Sequence, residues 1–180
     1  AQISTTQSKY GGSSLLLDGN SDYVSTTALF TLDTSEDFTI ECWFYALSDQ
    51  TANRSLIVIN NGTNNLATSF QLGKSSSTPS KLGINGMSSS GETYVFNNSY
   101  PLYTWSHVAI VRISDIVYCY LDGILDGSFS DTSTIDDSTI RVGVNRGLTA
   151  YWDGYIDSVR ITKGVGRYTA NFNPETDTFA

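Results

Sequence analysis

Asp37-Phe38-Thr39-Ile40-Glu41-Cys42-Trp43-Phe44-Tyr45 carries an alternation that only an extended chain can use. Successive side chains of a strand point to opposite faces, with a period of two. Phe38, Ile40, Cys42 and Phe44 therefore share one face, and Thr39, Glu41, Trp43 and Tyr45 share the other. The first face is suited to a core.

The same pattern extends in both directions along the chain. Trp105 to Ile113 reads as a long strand, with Val108, Ile110 and Arg112 alternating against Ala109, Val111 and Ile113. Ile116 to Leu121 runs into Asp122-Gly123, a strong hairpin signal between two β-rich segments. Shorter runs appear at Ser14–Leu17, Tyr23–Ser25, Ser55–Ile59, Ser69–Leu72, Lys81–Ile84, Ile140–Val144 and Gly154–Thr162. In the last of these, Tyr155, Asp157, Val159 and Ile161 are expected on one side. No window sustains a helical apolar period. Many short strands separated by turn signals, with no helical interlude, predict an all-β, two-sheet antiparallel jelly-roll sandwich. A single domain over residues 1–180 is expected, with its core from about residue 10 to residue 172. Ala1–Lys9 and Asn173–Ala180 are polar and read as arms that dock to neighbours.

Composition narrows the function. Charged residues are only 16% of the chain, and the net charge is −8. An acidic surface repels phosphate backbones, so no nucleic-acid partner is expected. Anionic membrane surfaces are disfavoured likewise, and no apolar run is long enough to span a bilayer. The chain opens on Ala1 without a signal-peptide core, as a processed piece or the ordered part of a longer chain would. Cys42 and Cys119 lie in strand-like apolar runs, which favours two reduced core thiols, although a disulfide stays open if their strands face each other.

Several segments carry a family likeness. Tyr10-Gly-Gly-Ser-Ser-Leu-Leu-Leu-Asp-Gly-Asn-Ser-Asp-Tyr-Val24 resembles the opening of laminin-G-like, concanavalin A-like domains. So do Asp37–Phe44, Trp105-Ser-His-Val-Ala-Ile-Val-Arg112, Tyr120-Leu-Asp-Gly123 and Trp152–Ile161, in the family's order. Ile161-Thr-Lys-Gly164 and Arg167-Tyr-Thr-Ala-Asn-Phe172 are most similar to the laminin-G-like modules of tailed-phage structural proteins. The resemblance implies a non-catalytic protein of the virion surface (fibre, tail or capsid decoration), extracellular, with other virion structural subunits as partners. It also implies adhesion to cell-surface carbohydrate through rim loops. The alternative is a decoration protein that docks to virion subunits and binds no glycan.

Glycan sites pair an aromatic ring with amide and carboxylate groups. Tyr151, Trp152, Asn145 and Asn61 are the residues expected to supply them, with packing an equal claim on Tyr151 and Trp152. Trp43 and Trp105 read as core. Domains of this family often hold one structural Ca2+, and Asp18, Asp22 and Asp157 offer hard oxygen ligands for it. Asp18 and Asp22 equally suit hydrogen bonds to their own turn. No catalytic residue is expected: the glucanases of this fold carry Glu-x-Asp-x-x-Glu, whereas Glu36, Asp37 and Glu41 are spaced differently and the lone His107 sits at a strand start.

Overall fold

The structure, a computed structural model, describes residues 1–27, 31–49, 53–60, 67–87, 91–136 and 139–174. Its strands are β1 (Gln2–Ser4), β2 (Ser14–Asp18), β3 (Val24–Thr27), β4 (Phe38–Ala46), β5 (Ser55–Asn60), β6 (Phe70–Lys74) and β7 (Lys81–Gly86). β8 (Glu92–Ser99), β9 (Trp105–Ile113), β10 (Ile116–Leu121), β11 (Ile124–Ser130), β12 (Thr139–Val142) and β13 (Asp153–Lys163) follow. They form two antiparallel sheets, ordered β1-β2-β13-β4-β9-β10-β11 and β3-β12-β5-β6-β7-β8. This is the jelly-roll sandwich that the alternation predicts.

The inward residues of β4, β9 and β10 meet those of β5, β6 and β7. Phe38, Ile40, Cys42, Phe44, Val108, Ile110, Val117 and Cys119 pack in one cluster with Ile57, Ile59, Phe70, Leu72, Leu82 and Ile84. Both cysteines are free thiols inside it. β10 and β11 are joined by Asp122-Gly123, both at positive φ (50° and 76°), the conformation a two-residue hairpin loop requires.

Arg112 is an inward residue, as the alternation requires, and is fully buried. Its guanidinium lies 4.8 Å from the Phe38 ring and pairs with Asp131 at 3.0 Å. It also donates to the carbonyls of Asp33, Glu36 and Ser133, so the loops at this end of the sandwich close on one cation. At another edge Asp126 of β11 accepts from the Tyr94 hydroxyl (2.7 Å) and from the Asn97 and Asn98 amides (2.7 and 2.9 Å), linking β11 to β8 of the other sheet.

Three expectations need correction. The N-terminal segment is no free arm: Gln2–Ser4 pairs with β2, and the Lys9 and Tyr10 amides donate to Asp157. Trp105 is only half-buried, against Tyr45 at 5.6 Å between ring centroids, while Trp43 is buried on the outer face beneath Lys9. The register of β13 on β4 shifts between Asp157 and Arg160, with Ser158 at positive φ. That bulge swaps faces, so Ile156 and Ile161 both reach the core while Tyr155 faces outward beside Tyr45. Of the C-terminal arm, Asn173 and Pro174 are described, and residues 175–180 lie outside the described residues.

The outer face of the seven-stranded sheet is covered as well. Residues 165–172 run across it, and Tyr168, stacked on Phe172 at 3.6 Å, forms a second apolar cluster with Ala109, Val111 and Tyr120. Phe172 donates its amide to the Gly123 carbonyl (2.9 Å). Beneath this strap Glu41 has 0% exposure. Its carboxylate meets Arg160 Nε at 2.8 Å, the Tyr168 hydroxyl at 2.8 Å and His107 Nε2 at 3.2 Å. Burial raises the pKa of Glu41, but the hydrogen bonds from His107, Arg160 and Tyr168 outweigh it and hold the group below its ordinary value.

A carboxylate depressed in this way stabilises the fold at pH values above its ordinary titration range. That contribution is lost as pH falls through the lower folded value. Glu41→Gln is expected to cost about 3 kcal/mol near neutral pH, because it leaves Arg160 without its buried partner. Below pH ~4 the gap should narrow, since the wild-type group protonates too. Urea unfolding of both proteins across this pH range checks it; a gap that stays constant refutes the assignment.

Candidate functional site

The other outer face, on the six-stranded sheet, is polar. β6 turns Phe70 and Leu72 inward, so Gln71 points outward. Between β12 and β13 the chain makes a hairpin loop, closed by the Val144–Tyr151 bridge and by Asn145 N donating to Ala150 O (3.0 Å). Asn145 stiffens this loop from inside. Its Oδ1 accepts from the amides of Thr149 (2.9 Å) and Ala150 (3.2 Å), and its Nδ2 donates to Thr149 Oγ1 (3.1 Å).

The loop folds down over Gln71. Arg146 donates its amide to Gln71 Oε1 (3.4 Å) and Nη1 to Ser69 Oγ (2.7 Å). Asn53, held at positive φ ahead of β5, closes the other side. Together Asn53, Gln71, Asn145, Arg146, Gly147 and Thr149 line a polar pocket of about 220 Å³. Its lining offers amide donors and acceptors, a hydroxyl and a guanidinium, the groups that match an array of sugar hydroxyls.

Asn145 is thus where the sequence reading wanted it, at a rim pocket. The other expected ligand residues are not. Trp152 is wholly buried in the core, edge-on to Phe44 at 5.8 Å, and presents no face to a ligand. Tyr151 lies against Tyr23 (6.3 Å) with its hydroxyl donating to Leu148 O (2.8 Å), outside the pocket lining. Asn61 falls outside the described residues. Arg146, Gln71 and Asn53, which also line the pocket, were not among the residues that the sequence reading singled out. A polar residue interrupting the apolar run Ser69–Leu72 was the available signal for Gln71, and the polar turn Asn145-Arg146-Gly147 was the signal for Arg146.

The three aspartates do not assemble into a calcium site. β13 pairs with β2 so that Asp153, not Asp157, stands opposite Asp18. Asp157 lies four residues further along, about 13 Å away at strand rise. Each carboxylate is also engaged: Asp18 with the amides of Asn20 and Ser21, Asp22 with the N-terminus, Asp157 with the amides of Lys9 and Tyr10. A cation already sits at this turn, since a Cβ placed on Gly19 would lie 2.8 Å from Arg54 Nη1 and 2.9 Å from Asp153 Cβ. No group of three or more potential ligands gathers among the described residues. The donor set does not fit Ca2+.

A second concavity, apolar and about 370 Å³, opens where the two sheets part at their β1 and β3 edges. Ile3, Leu15, Val24, Val142, Ile156 and Val159 line it.

A laminin G family model, described as the concanavalin A-like lectin/glucanases superfamily, matches residues 18–165. The chain belongs to this superfamily. No curated protein sequence matches it. Among solved structures, domain 4 of AbnA, a GH43 extracellular arabinanase from Geobacillus stearothermophilus in complex with arabinotriose, superposes with a TM-score of 0.67 at 19% identity, covering 91% of this chain and 76% of that one. The CBM40 of the Ruminococcus gnavus IT-sialidase gives 0.61 at 15% identity, covering 82% and 92%. Domains LG4-5 of the mouse laminin alpha1 chain give 0.60 at 14%, covering 81% and 40%. At such identities the likeness is one of fold.

Because the aspartates are satisfied without metal, a chelator is expected to leave the melting temperature unchanged, and added Ca2+ should not raise it. A rise that saturates with calcium concentration overturns this.

Proposed function

We propose that the chain is a non-catalytic carbohydrate-binding domain that works outside the cell, with the polar pocket beneath the Asn145–Ala150 loop as its ligand site. The pocket carries the reading: amide, hydroxyl and guanidinium groups converge there on rigid strands and a self-bonded loop. Two fold relatives support it, one described as a carbohydrate-binding module and one in complex with arabinotriose. The described lining holds no carboxylate to act as acid or nucleophile, and Glu41, one of the acidic residues weighed against the glucanase pattern, is sealed beneath the C-terminal strap. Display on a virion surface rests on the likeness of Ile161–Gly164 and Arg167–Phe172 to phage modules.

One observation favours the decoration reading. Ile3 (75% exposed), Val24 and Val159 leave apolar surface at the open sheet edge, the kind of surface that docks to another subunit. The two readings are compatible, since groove and pocket use different residues.

A glycan array screened with the purified protein, with and without chelator, separates them. Binding is expected in both conditions and is expected to fall about tenfold or more in Gln71→Ala, which removes a pocket hydrogen-bonding group. No binding on the array under either condition refutes carbohydrate recognition and leaves decoration.

A further inference from the structure

Among the described residues, Arg146 is a half-buried cation without a counter-ion. Its Nη1 donates to Ser69 Oγ, but Nε, shut off from solvent, has no hydrogen-bond partner. Among the described residues, Nη2 donates to nothing and no carboxylate lies within ion-pair distance. Desolvation holds its pKa below the ordinary arginine value, with no neighbouring charge contributing. The situation is unusual in a chain of net charge −8, where acidic groups outnumber basic ones 18 to 10. Arg112 and Arg160, by comparison, pair with Asp131 and Glu41.

A second guanidinium stands in the same row. Val58 of β5 is flanked by Gln71 on β6 and Arg141 on β12, so all three share the outward face within about two strand spacings, roughly 10 Å. Arg141 donates to Asn60 Oδ1 (2.8 Å) and likewise meets no carboxylate among the described residues. Partly desolvated guanidinium is costly unless an anion completes it, and Nη2 of Arg146, unlike the buried Nε, is left as a charged donor that a carboxylate can reach.

Resting on the pocket being the glycan site, we propose that it selects acidic saccharides: the carboxylate of a uronic or related sugar acid docks on Nη2 of Arg146. Gln71, Asn53 and Thr149 then take the hydroxyls of the same residue.

The test uses the intact chain and two acidic probes, trigalacturonic acid and 3′-sialyllactose. Each is titrated calorimetrically beside its methyl ester, which keeps the shape and removes the charge, and beside a neutral oligosaccharide of equal length. At least one acid is expected to bind about tenfold or more tighter than its ester, the difference a charge-assisted pair supplies. Arg146→Gln should abolish that preference, and Arg146→Lys, which keeps the charge but not the planar guanidinium that holds Ser69 and the ligand at once, should restore only part of it. Equal affinity for acid and ester, or no binding of either acid, overturns the proposal. If neutral glycans still bind in a Gln71-dependent way, the carbohydrate-binding function survives that outcome. Should Arg146→Gln fail to fold, the acid-against-ester comparison on the wild-type chain decides alone.

Discussion

The structure depends on burying β4 from both sides. A strand at the centre of a sandwich sheet normally needs one apolar face, but here eight of the nine residues from Phe38 to Ala46 are buried. The inner face is closed by the opposite sheet. The outer face carries Glu41, and enclosing an ionised carboxylate costs several kcal/mol unless donors surround it. Arg160 from β13, His107 from β9 and Tyr168 from the C-terminal strap supply them. The strap is therefore part of the domain, because removing Tyr168 would both expose the second apolar cluster and take a donor from a buried charge.

This arrangement makes the two outer faces unlike. One is sealed by residues 165–172, and a ligand cannot reach Glu41 beneath them. The other is a row of amide and guanidinium side chains on β12, β5 and β6, with the Asn145–Ala150 loop folded over one end. Recognition needs groups held within a fraction of an ångström, and strands with a loop bonded to itself hold them so. Asn145 bonds to its own loop and so fixes the backbone that carries Arg146.

Much of the fold was legible because alternation is a local property. The β4 pattern, the Trp105–Ile113 strand and the Asp122-Gly123 turn all state their conformation within a few residues. Of the described residues singled out as ligand candidates, only Asn145 lines the polar pocket. Trp152 belongs to a family-like motif beside a loop, and nothing in its neighbours says whether its ring turns inward. The bulge between Asp157 and Arg160 is equally silent, yet it reverses every face assignment beyond it.

The sequence alone determined that the chain forms two apolar-faced sheets, since period-two burial has no other economical partner. Tertiary structure decided which polar residues meet. The register of β2 on β13 puts Asp157 far from Asp18 and brings Asp153 opposite it. The docking of one loop on Gln71 and Ser69 gives Arg146 its half-buried, unpaired setting. Such meetings join residues from 75 (Gln71 and Arg146) to 135 (Asp18 and Asp153) positions apart through cross-strand register and loop docking, and a local pattern has no means of encoding either.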